Sequence, residues 1–567
     1  MNYPAHIAQK IAKCIWETYA TQVDGLEEYL ETPPNPDLGD FAFPCFRLSK
    51  SLRMAPPKIA ASLCEGLQPD ALIQRVECVG GYLNFFLNKS SYAAQVLDAI
   101  RLAGDRYGAG EEGKGKTVCI DYSSINIAKR FHIGHLSATM IGSALYKMYG
   151  YLGYRCVGIN HLGDWGTQFG KMIAAYLKWG SKDEVEQGGV DELVKLYVRF
   201  HKEAETDPSL EDEGRAWFKK IEEGDETALS IFNWFKELTL KDAARVYETL
   251  GVQFDSYAGE SFYNDKMGRV IDELKAKNLL EQSQGAYVVN LDEYKMPPCL
   301  ILKSDGATLY ATRDIAAALY RKDTYDFDKC LYVVAYQQDL HFRQWFKVIE
   351  LMGYPWAKDL EHVAFGMISY EGKALATRSG HVLYLEDLLT KAVEKALEII
   401  EQKSPELENK EEIAKQVGIG AVIFFDLFNS RIKDIDFYWD RALNFDGETG
   451  PYVQYTHARC CSVLRKAGEQ TAQPDYASLE DPQAQALLRA LDELPSVIRE
   501  AVRRNEPYLV TRHCVEMAQC YNRFYYEHQI LTDDPAVRAA RVALTDAARR
   551  CIAIGLRLLG IQAPERM

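Results

Sequence analysis

The spacing of apolar residues changes sharply between residues 117 and 148. The run from Thr117 to Tyr122 is apolar and suits a buried strand, whereas apolar residues after Gly134 recur at helical spacing, at Leu136, Met140, Ile141, Ala144, Leu145 and Met148. His132 and His135 lie between the two patterns. The chain is therefore predicted to place two histidines where a strand meets a helix N-terminus, whose unpaired N–H groups favour phosphate. A bare H-x-G-H pattern also recurs by chance, so this motif is weak by itself.

Strand and helix patterns continue to alternate from residue 113 to about residue 390. Strands are predicted at 117–122, 155–159, 330–336 and 362–367, and helices after Gly134, Asp164, Arg313 and His341. This alternation is typical of an α/β fold with a Rossmann-type, doubly wound parallel sheet. An acidic stretch at about 180–300 shows no strand rhythm and is interpreted as a helical insertion.

Different patterns flank this sheet domain. Residues 1–112 are predicted to form an N-terminal α/β module, with an aromatic strand at 81–88, a Gly-rich linker at 108–116 and an amphipathic helix marked by Ile7, Ile11, Ile15 and Tyr19. Residues 391–567 show only helical periodicity and predict a C-terminal all-α bundle.

Composition narrows the class of protein. The 567 residues are 47% hydrophobic and 26% charged, which is typical of globular domains. We expect no membrane span and no signal peptide, because no apolar run is long enough and the N-terminus lacks an apolar core. The 13 cysteines include no C-x-x-C pair. Reduced thiols, a cytoplasmic location and no structural zinc are therefore expected.

The net charge of −15 is distributed unevenly. Residues 451–567 contain 15 basic and 14 acidic residues, and all but Lys466 of the basic ones are arginines. Arginine suits phosphate and base edges, so this tail fits an RNA-reading segment on an acidic body. An arginine-rich helical surface without RNA is an equally good interpretation of charge alone.

Polar residues follow the predicted strands at their carboxyl ends, where open parallel sheets bind ligands. Ser124 and Asn126 follow the strand ending at Tyr122, and Gln338 follows the strand predicted to end at Tyr336. A predicted hairpin at 300–312, closed by Ser304-Asp305-Gly306, leads through Tyr310 to Asp314 at a helix start. The alternative role for Asp314 is a helix cap.

The phrase SSINIAKRFHIGHL resembles the signature of class I aminoacyl-tRNA synthetases and, among them, of the arginyl-tRNA synthetases. The resemblance extends over the whole chain, in order, through NHLGDWGTQFG, LYATRDIAAALYR, YQQDLHFRQ, ATRSGHV, PYVQYTHARCCSVLRKA and the ending APERM. It implies that the sheet domain is catalytic and uses ATP with Mg²⁺, L-arginine and tRNA(Arg). We expect a monomer and no editing site.

The resemblance also implies a set of site residues. Arginine would be bound by Ser124, Asn126, His135, Glu260, Tyr310, Asp314 and Gln338. A guanidinium is planar, permanently charged and has five donors, which suits carboxylates and a tyrosine. ATP would be bound by His132, Gly134, His135, Thr377 and Arg378, and catalysis assigned to Lys129, His132, His135 and Arg378.

The mobile KMSKS loop of the class is degenerate in this chain. Residues 376–380 read ATRSG, without a lysine, and Lys373 lies nearby but off register. Arginyl enzymes with a weak loop are thought to use a lysine before the histidines, which would be Lys129. We therefore favour Lys129 over Arg378 as the main cation for pyrophosphate; a solvated turn residue is the alternative for Lys129.

The same resemblance assigns RNA contacts. Tyr82 and Asn84 match positions that touch the tRNA elbow, although Tyr82 also fits a core strand position. Tyr452, Tyr455 and Arg459 share one helix face and suit stacking on anticodon bases, with bundle core as the alternative for Tyr452. Tyr525 and the terminal Met567 match further anticodon-loop contacts.

Three departures lie beside the histidine motif: related enzymes often have proline at Ile125, proline at Arg130 and arginine at Ser137. They leave open a weak or specialised paralogue, and a non-catalytic RNA-binding or regulatory paralogue is the first alternative function. A smaller nucleotidyltransferase with the same histidine motif is the second alternative, although such enzymes lack the long helical tail.

Overall fold

The computed structural model describes residues 3–303, 309–374 and 383–567. The predicted turn Ser304-Asp305-Gly306 and the motif residues Thr377 and Arg378 lie outside these ranges. Two compact units make up the chain. The small unit comprises residues 1–107, 460–493 and 519–551, and the large unit comprises residues 108–459, 494–518 and 552–567. The domain limits after residues 112 and 390 stay predictions.

The small unit contains an antiparallel sheet in the order β1-β3-β2. Its N-terminal elements are α1 (Tyr3–Tyr19), β1 (Phe41–Pro44), α2 (Ser49–Leu52), α3 (Pro56–Gly66), β2 (Ile73–Val79), β3 (Tyr82–Leu87) and α4 (Lys89–Ala103). Ile7, Ile11 and Ile15 are buried on one face of α1, so the predicted amphipathic helix is confirmed.

The large unit is built on a four-stranded parallel sheet in the order β10-β9-β4-β5. Its elements up to this sheet's last strand are β4 (Thr117–Asp121), α5 (Leu136–Tyr151), β5 (Arg155–Ile159), α6 (Thr167–Trp179), α7 (Lys182–Ala204), α8 (Ser209–Glu222), α9 (Glu226–Leu250), α10 (Met267–Ala276), β6 (Glu281–Ser283), β7 (Ala286–Val289), β8 (Cys299–Leu302), α11 (Tyr310–Tyr325), β9 (Lys329–Tyr332), α12 (Asp339–Leu351) and β10 (Leu360–His362). Strand β4 is wholly buried between its two neighbours, as its apolar run predicts.

Two predicted strands end earlier than expected. The strand predicted at 330–336 ends at Tyr332, and the one predicted at 362–367 is Leu360–His362. The apolar residues after Tyr332 continue past the sheet edge into a single 3₁₀ turn, Tyr336–Gln338, that begins α12. Apolar runs mark burial, and burial here extends beyond the strand.

The insertion is helical at first, in α7, α8 and α9, but the prediction of no strands across 180–300 is wrong. Strands β6, β7 and β8 form an antiparallel sheet of their own. They are only three or four residues long, which is too short for a clear alternation. The predicted hairpin at 300–312 is also wrong, because β8 pairs with β7 and the chain is helical from Tyr310.

The described chain after β10 is mainly helical, as predicted for residues 391–567 apart from one short strand. It contains β11 (Ile368–Tyr370), β12 (Lys373–Ala374), α13 (Leu385–Lys403), α14 (Lys410–Leu427), β13 (Ile435–Phe437), α15 (Trp439–Ala442), α16 (Gly450–Ala467), α17 (Pro482–Arg504), α18 (Tyr508–Glu527) and α19 (Pro535–Leu558). The one strand beyond residue 391, β13, pairs with β11. Among the described residues, no helix combines the length and apolar character needed to cross a bilayer.

Candidate active site

A strained loop follows the central strand β4. We call residues 122–131, which join β4 to the histidine motif, the site loop. Ser123, Ser124 and Ala128 have φ values of 70°, 48° and 58°, in the left-handed region that non-glycine residues rarely adopt. Such strain persists only where the surrounding structure holds it, and it clusters at functional sites.

A buried ion pair lies at the base of this loop. Arg321 of α11 is 1% exposed and donates to Asp121 Oδ2 at 2.7 Å, while Ser124 Oγ donates to Asp121 Oδ1 at 2.9 Å. Asp121 thus connects the sheet edge to a predicted arginine ligand. Removing either partner of a buried pair typically costs about 3–5 kcal/mol.

Asn126 lies beside the turn that follows β5. The Ile127 N–H donates to the Gly163 carbonyl at 3.1 Å, and the Gly163 N–H donates to the Ile125 carbonyl at 2.9 Å. A Cβ on Gly163 would lie 2.2 Å from Asn126 Oδ1, so the asparagine side chain would have to turn away from its present position. Asn126 itself is exposed and available to a ligand.

His132 and His135 stack on each other at the N-terminus of α5, with ring centroids 3.9 Å apart. The Gly134 N–H donates to His132 Nδ1 at 3.1 Å, and the His132 N–H donates to His135 Nδ1 at 3.2 Å. Because Nδ1 of His132 accepts a backbone N–H, its neutral ring carries the proton on Nε2. A Cβ on Gly134 would lie 2.9 Å from the His132 ring, so this glycine makes room for the imidazole.

Both imidazoles are neutral at pH 7. Burial, then the neighbouring His132 and Lys129, lower the pKa of His135 to about 3. Burial and Lys129 also lower the pKa of His132. Lys129 is exposed and close enough to act on both rings. We call Lys129, His132 and His135 the histidine corner.

A second group of charged residues lies on α11, α12 and the turn before α10. Asp314 Oδ2 is 2.6 Å from His341 Nε2, and Arg313 donates to Glu260 Oε2 at 3.2 Å. We call Glu260, Arg313, Asp314 and His341 the carboxylate corner. Burial raises the pKa of Glu260 to about 7, against the pull of Arg313, and the nearby Asp314 raises it further.

Helix α11 begins at Tyr310, and its N-cap is Leu309, so Asp314 is not the helix cap that the sequence allowed. The Tyr310 side chain is 69% exposed at the first position of this helix. Gln338 is exposed three residues before His341, the partner of Asp314. Tyr310, Asp314 and Gln338 therefore belong to neighbouring helix starts, as expected for ligands at one edge of the sheet.

Thr377 and Arg378 lie outside the described residues, but the chain that follows them pairs with the histidine motif. The Ile133 N–H donates to the Leu383 carbonyl at 3.0 Å, and the Leu385 N–H donates to the Phe131 carbonyl at 2.9 Å. This pairing places the start of α13 directly against the histidine corner.

The three departures from related enzymes all have partners or are buried. Ile125 is buried. Arg130 bonds Asp191 of α7 at 3.1 Å and lies 3.7 Å over the ring of Tyr384. Ser137 Oγ donates to Asp426 Oδ1 of α14 at 2.5 Å, and burial raises the pKa of Asp426 to about 7.

The predicted RNA contacts differ in exposure. On β3, Tyr82 is 37% exposed beside Phe46, which argues against a core position, whereas Asn84 is 4% exposed. On α16, Tyr455 is 40% exposed with the Arg459 guanidinium 4.9 Å above its ring, and Tyr452 is half-buried.

The remaining predicted RNA contacts lie on α18 and at the C-terminus. Tyr525 is 41% exposed on α18. The segment leading to Met567 is fixed to α16, because Gln454 Nε2 donates to the Gln562 carbonyl at 2.8 Å and His457 Nδ1 lies 2.9 Å from the Pro564 carbonyl.

Sequence reasoning missed several residues that hold this site: Asp121, Arg321, Asp164, His341, Thr239 and Tyr247. Asp164, Arg321 and His341 stand inside the quoted segments NHLGDWGTQFG, LYATRDIAAALYR and YQQDLHFRQ, so a signal was available for each of them. Arg321 and Asp121 are 200 residues apart, and no local pattern links them.

Comparisons with known proteins define the class first. The family described as "tRNA synthetases class I (R), catalytic domain" matches residues 97–439, and the DALR anticodon binding domain matches residues 453–567. The parallel sheet with a histidine pair at its edge is therefore the catalytic fold of a class I aminoacyl-tRNA synthetase.

Relatives then identify the family. The arginyl-tRNA synthetase N-terminal domain matches residues 3–87. The arginine–tRNA ligase of Alkaliphilus metalliredigens is 55% identical over 97% of this chain and 98% of its own length, and that of Clostridioides difficile is 55% identical over 96% of both. The structure of Thermus thermophilus arginyl-tRNA synthetase aligns over 100% of both chains with 25% identity and a TM-score of 0.82. The chain belongs to the arginyl-tRNA synthetase family, and the smaller nucleotidyltransferase is excluded.

Proposed function

We propose that this chain is an arginine–tRNA ligase. It activates L-arginine with ATP to arginyl adenylate and transfers the arginyl group to the 3′-terminal adenosine of tRNA(Arg), at its 2′-hydroxyl. The observation that carries the proposal is a neutral histidine pair beside Lys129 in the same unit as a cluster of carboxylates. Such a site suits a polyphosphate at one corner and a cationic amino acid at the other.

The histidine corner suits the activation step. The arginine carboxylate attacks the α-phosphorus, the bond to the β-phosphate breaks, and pyrophosphate leaves. Negative charge grows on the phosphoryl oxygens, and fixed donors such as His132 Nε2–H stabilise it. Lys129 is the main cation for pyrophosphate, with Thr377 and Arg378 assisting. ATP enters as its magnesium complex, with Mg²⁺ held mainly by phosphate oxygens and water.

The carboxylate corner suits the substrate guanidinium. Asp314 and Tyr310 bind it, and Glu260 adds negative charge from behind, where Arg313 already partners it. Charge-assisted hydrogen bonds of this kind contribute roughly 1.5–3 kcal/mol each. Asn126 and Gln338 bind the α-amino end, and Ser124 is a further arginine ligand. A pocket built on such polar contacts rejects analogues that lack the donors by roughly 10⁴–10⁵, so no editing site is needed.

The helical tail and the small unit suit tRNA. Exposed Tyr455 with Arg459 above its ring offers a stacking platform for an unpaired anticodon base. Tyr452, Tyr525 and Met567 add anticodon-loop contacts, and Tyr82 contacts the elbow, whereas the predicted contact Asn84 is too buried to take part. The enzyme acts as a cytoplasmic monomer without structural zinc and needs tRNA for activation itself.

A charging assay tests the proposal directly. The purified chain, supplied with ATP, mixed tRNA and each of the twenty amino acids, is expected to charge arginine alone. Asp314→Ala and His135→Ala should each abolish most of that activity. Charging of a different amino acid, or none at all, would contradict the proposal, and an RNA-binding paralogue would have no activity for these variants to lose.

Pyrophosphate exchange tests whether arginine activation needs tRNA. Arginine-dependent exchange of labelled pyrophosphate into ATP should be negligible without tRNA and appear when tRNA(Arg) is added. Full exchange without tRNA would show that activation is independent of it.

A further inference from the structure

Helix α9 of the insertion reaches the active site through three polar side chains, of which Thr239 and Tyr247 are buried and Lys236 is 23% exposed. Lys236, Thr239 and Tyr247 lie along this helix and each bonds a different segment around the site. The sequence offered no role for the insertion, and the mechanism above uses none of these residues.

Thr239 holds the end of the site loop. Its Oγ1 accepts the Ala128 N–H at 3.0 Å and donates to the Phe235 carbonyl at 2.9 Å, so both of its hydrogen-bonding roles are used. Thr239 and Ala128 are both buried, and Ala128 has a left-handed φ of 58°. Because Lys129 follows Ala128 directly, this bond sets where the lysine leaves the loop.

Tyr247 holds the beginning of the same loop. Its hydroxyl lies 2.8 Å from Ser123 Oγ and accepts from Asn160 Nδ2 at 2.8 Å. Ser123 is the first left-handed residue of the loop, with φ 70°. Thr139 Oγ1 lies 2.8 Å from Ser123 Oγ and 2.7 Å from the His135 carbonyl oxygen. A buried hydrogen-bond network therefore runs from α9 to the first turn of the histidine helix.

Lys236 holds the segment that carries Glu260. Its Nζ is 2.6 Å from Asp164 Oδ2, and Asp164 also accepts from the Ser261 N–H at 2.8 Å and from Ser261 Oγ at 2.7 Å. Asp164 is fully buried. One helix thus anchors the site loop at two points and the Glu260 segment at a third.

We propose that α9 is a positioning element of the active site, in which Thr239 and Tyr247 keep the site loop in its left-handed conformation and so place Ser124, Asn126 and Lys129. This inference rests on the proposed function, because the position of these three residues is tested through the rate of arginine activation. Left-handed conformations at Ser123 and Ala128 are costly without such partners, and each has one on the same helix.

Thr239→Val tests the proposal, because valine keeps the shape of threonine and leaves the buried Ala128 N–H without an acceptor. We expect kcat/KM for ATP and arginine to fall roughly tenfold to a hundredfold, since small misplacements cost that much. Thr239→Ser, which keeps the hydroxyl, should restore most of the activity. Thr249→Val is the matched control on α9, because among the described residues that hydroxyl bonds its own helix, at the Arg245 carbonyl.

Tyr247→Phe is the second variant, and it keeps the ring that packs on Phe131 and Phe254. Like Thr239→Val, it should lower kcat/KM, while Tm and the Kd for tRNA stay close to those of the unaltered chain. Unchanged activity in both variants, no rescue by serine, or a parallel loss of Tm and tRNA binding would overturn the proposal. Failure of the proposed function is distinct, because the unaltered chain would then charge no arginine.

Discussion

The histidine corner and the carboxylate corner bury polar groups of opposite kind, and burial moves both towards their neutral forms. The pKa of His135 falls to about 3 and that of Glu260 rises to about 7. The corners differ in their partners. His132 and His135 are held by backbone N–H groups, whereas Glu260 and Asp314 are paired with Arg313 and His341.

This difference suggests that the two corners meet their ligands differently. Neutral imidazoles fixed by backbone bonds are ready donors that need not move when phosphate binds, and such preorganisation is the main source of electrostatic catalysis. The carboxylates already hold the Arg313 guanidinium and the His341 imidazole, so an incoming guanidinium adds to or shares existing contacts. Changes at the histidine corner should therefore alter kcat, and changes at the carboxylate corner should alter KM for arginine.

The largest effect is expected from Asp314→Asn. Loss of this charge should raise KM for arginine by roughly a hundredfold or more, because two charge-assisted bonds weaken together. KM for ATP should change little. Asp323→Asn on the same helix is the control, since Asp323 is exposed and, in the described part of the chain, forms its ion pair with Arg269. An equal rise in both KM values would contradict the division between the corners.

Lys129→Met should have the next largest effect and should lower kcat for arginine activation by roughly 10²-fold at unchanged KM for arginine. The same variant should raise the imidazole pKa values of His132 and His135, because Lys129 lowers both. Single-turnover kinetics and imidazole titration by NMR measure the two effects. Lys182→Met, on the surface of α7, is the control; if Arg378 is instead the main cation, Lys129→Met will leave kcat nearly unchanged.

His135→Gln should change how stability depends on pH. The folded pKa of about 3 lies below the ordinary 6.5, so the unfolded chain binds the proton first as pH falls. Stability due to this group is complete above pH 6.5 and is lost below it. The variant should lose about 1–2 kcal/mol less than the unaltered chain between pH 7 and pH 4.5, in denaturant titrations. Parallel curves would mean that the pKa of His135 is the same in the folded and the unfolded chain.

Glu260→Gln should have the smallest effect, and it should change the dependence of stability on pH in the direction opposite to His135→Gln. The folded pKa of about 7 lies above the ordinary 4.5, so the unfolded chain loses its proton first as pH rises. Stability due to this group is present below pH 4.5 and lost between pH 4.5 and 7. Between pH 4.5 and pH 7 the glutamine variant should lose about 1 kcal/mol less stability than the unaltered chain, as measured by denaturant unfolding at both pH values. If the variant instead lost more stability than the unaltered chain over this pH range, Glu260 would be ionised in the folded chain and stabilised by Arg313.

Local pattern predicted the parts of this molecule that depend on neighbours in the chain. Strand β4, the histidine-bearing start of α5 and the buried face of α1 all follow from apolar spacing within about twenty residues. The same reasoning misjudged β6, β7 and β8, which are too short for a period to show. Local pattern also predicted that two strands continue beyond Tyr332 and His362, where they end, because apolar residues remain buried after the sheet ends.

The class of fold, the family and most of the candidate ligands can be predicted from the amino-acid sequence, since they depend on ordered motifs and on local periodicity. The contacts that hold these ligands become visible in the folded chain: Asp121 with Arg321 across 200 residues, Ala128 with Thr239 across 111, and Ser123 with Tyr247 across 124. Each bond satisfies a buried polar group whose partner is chosen by packing of distant elements. Spacing along the chain carries no information about such pairs.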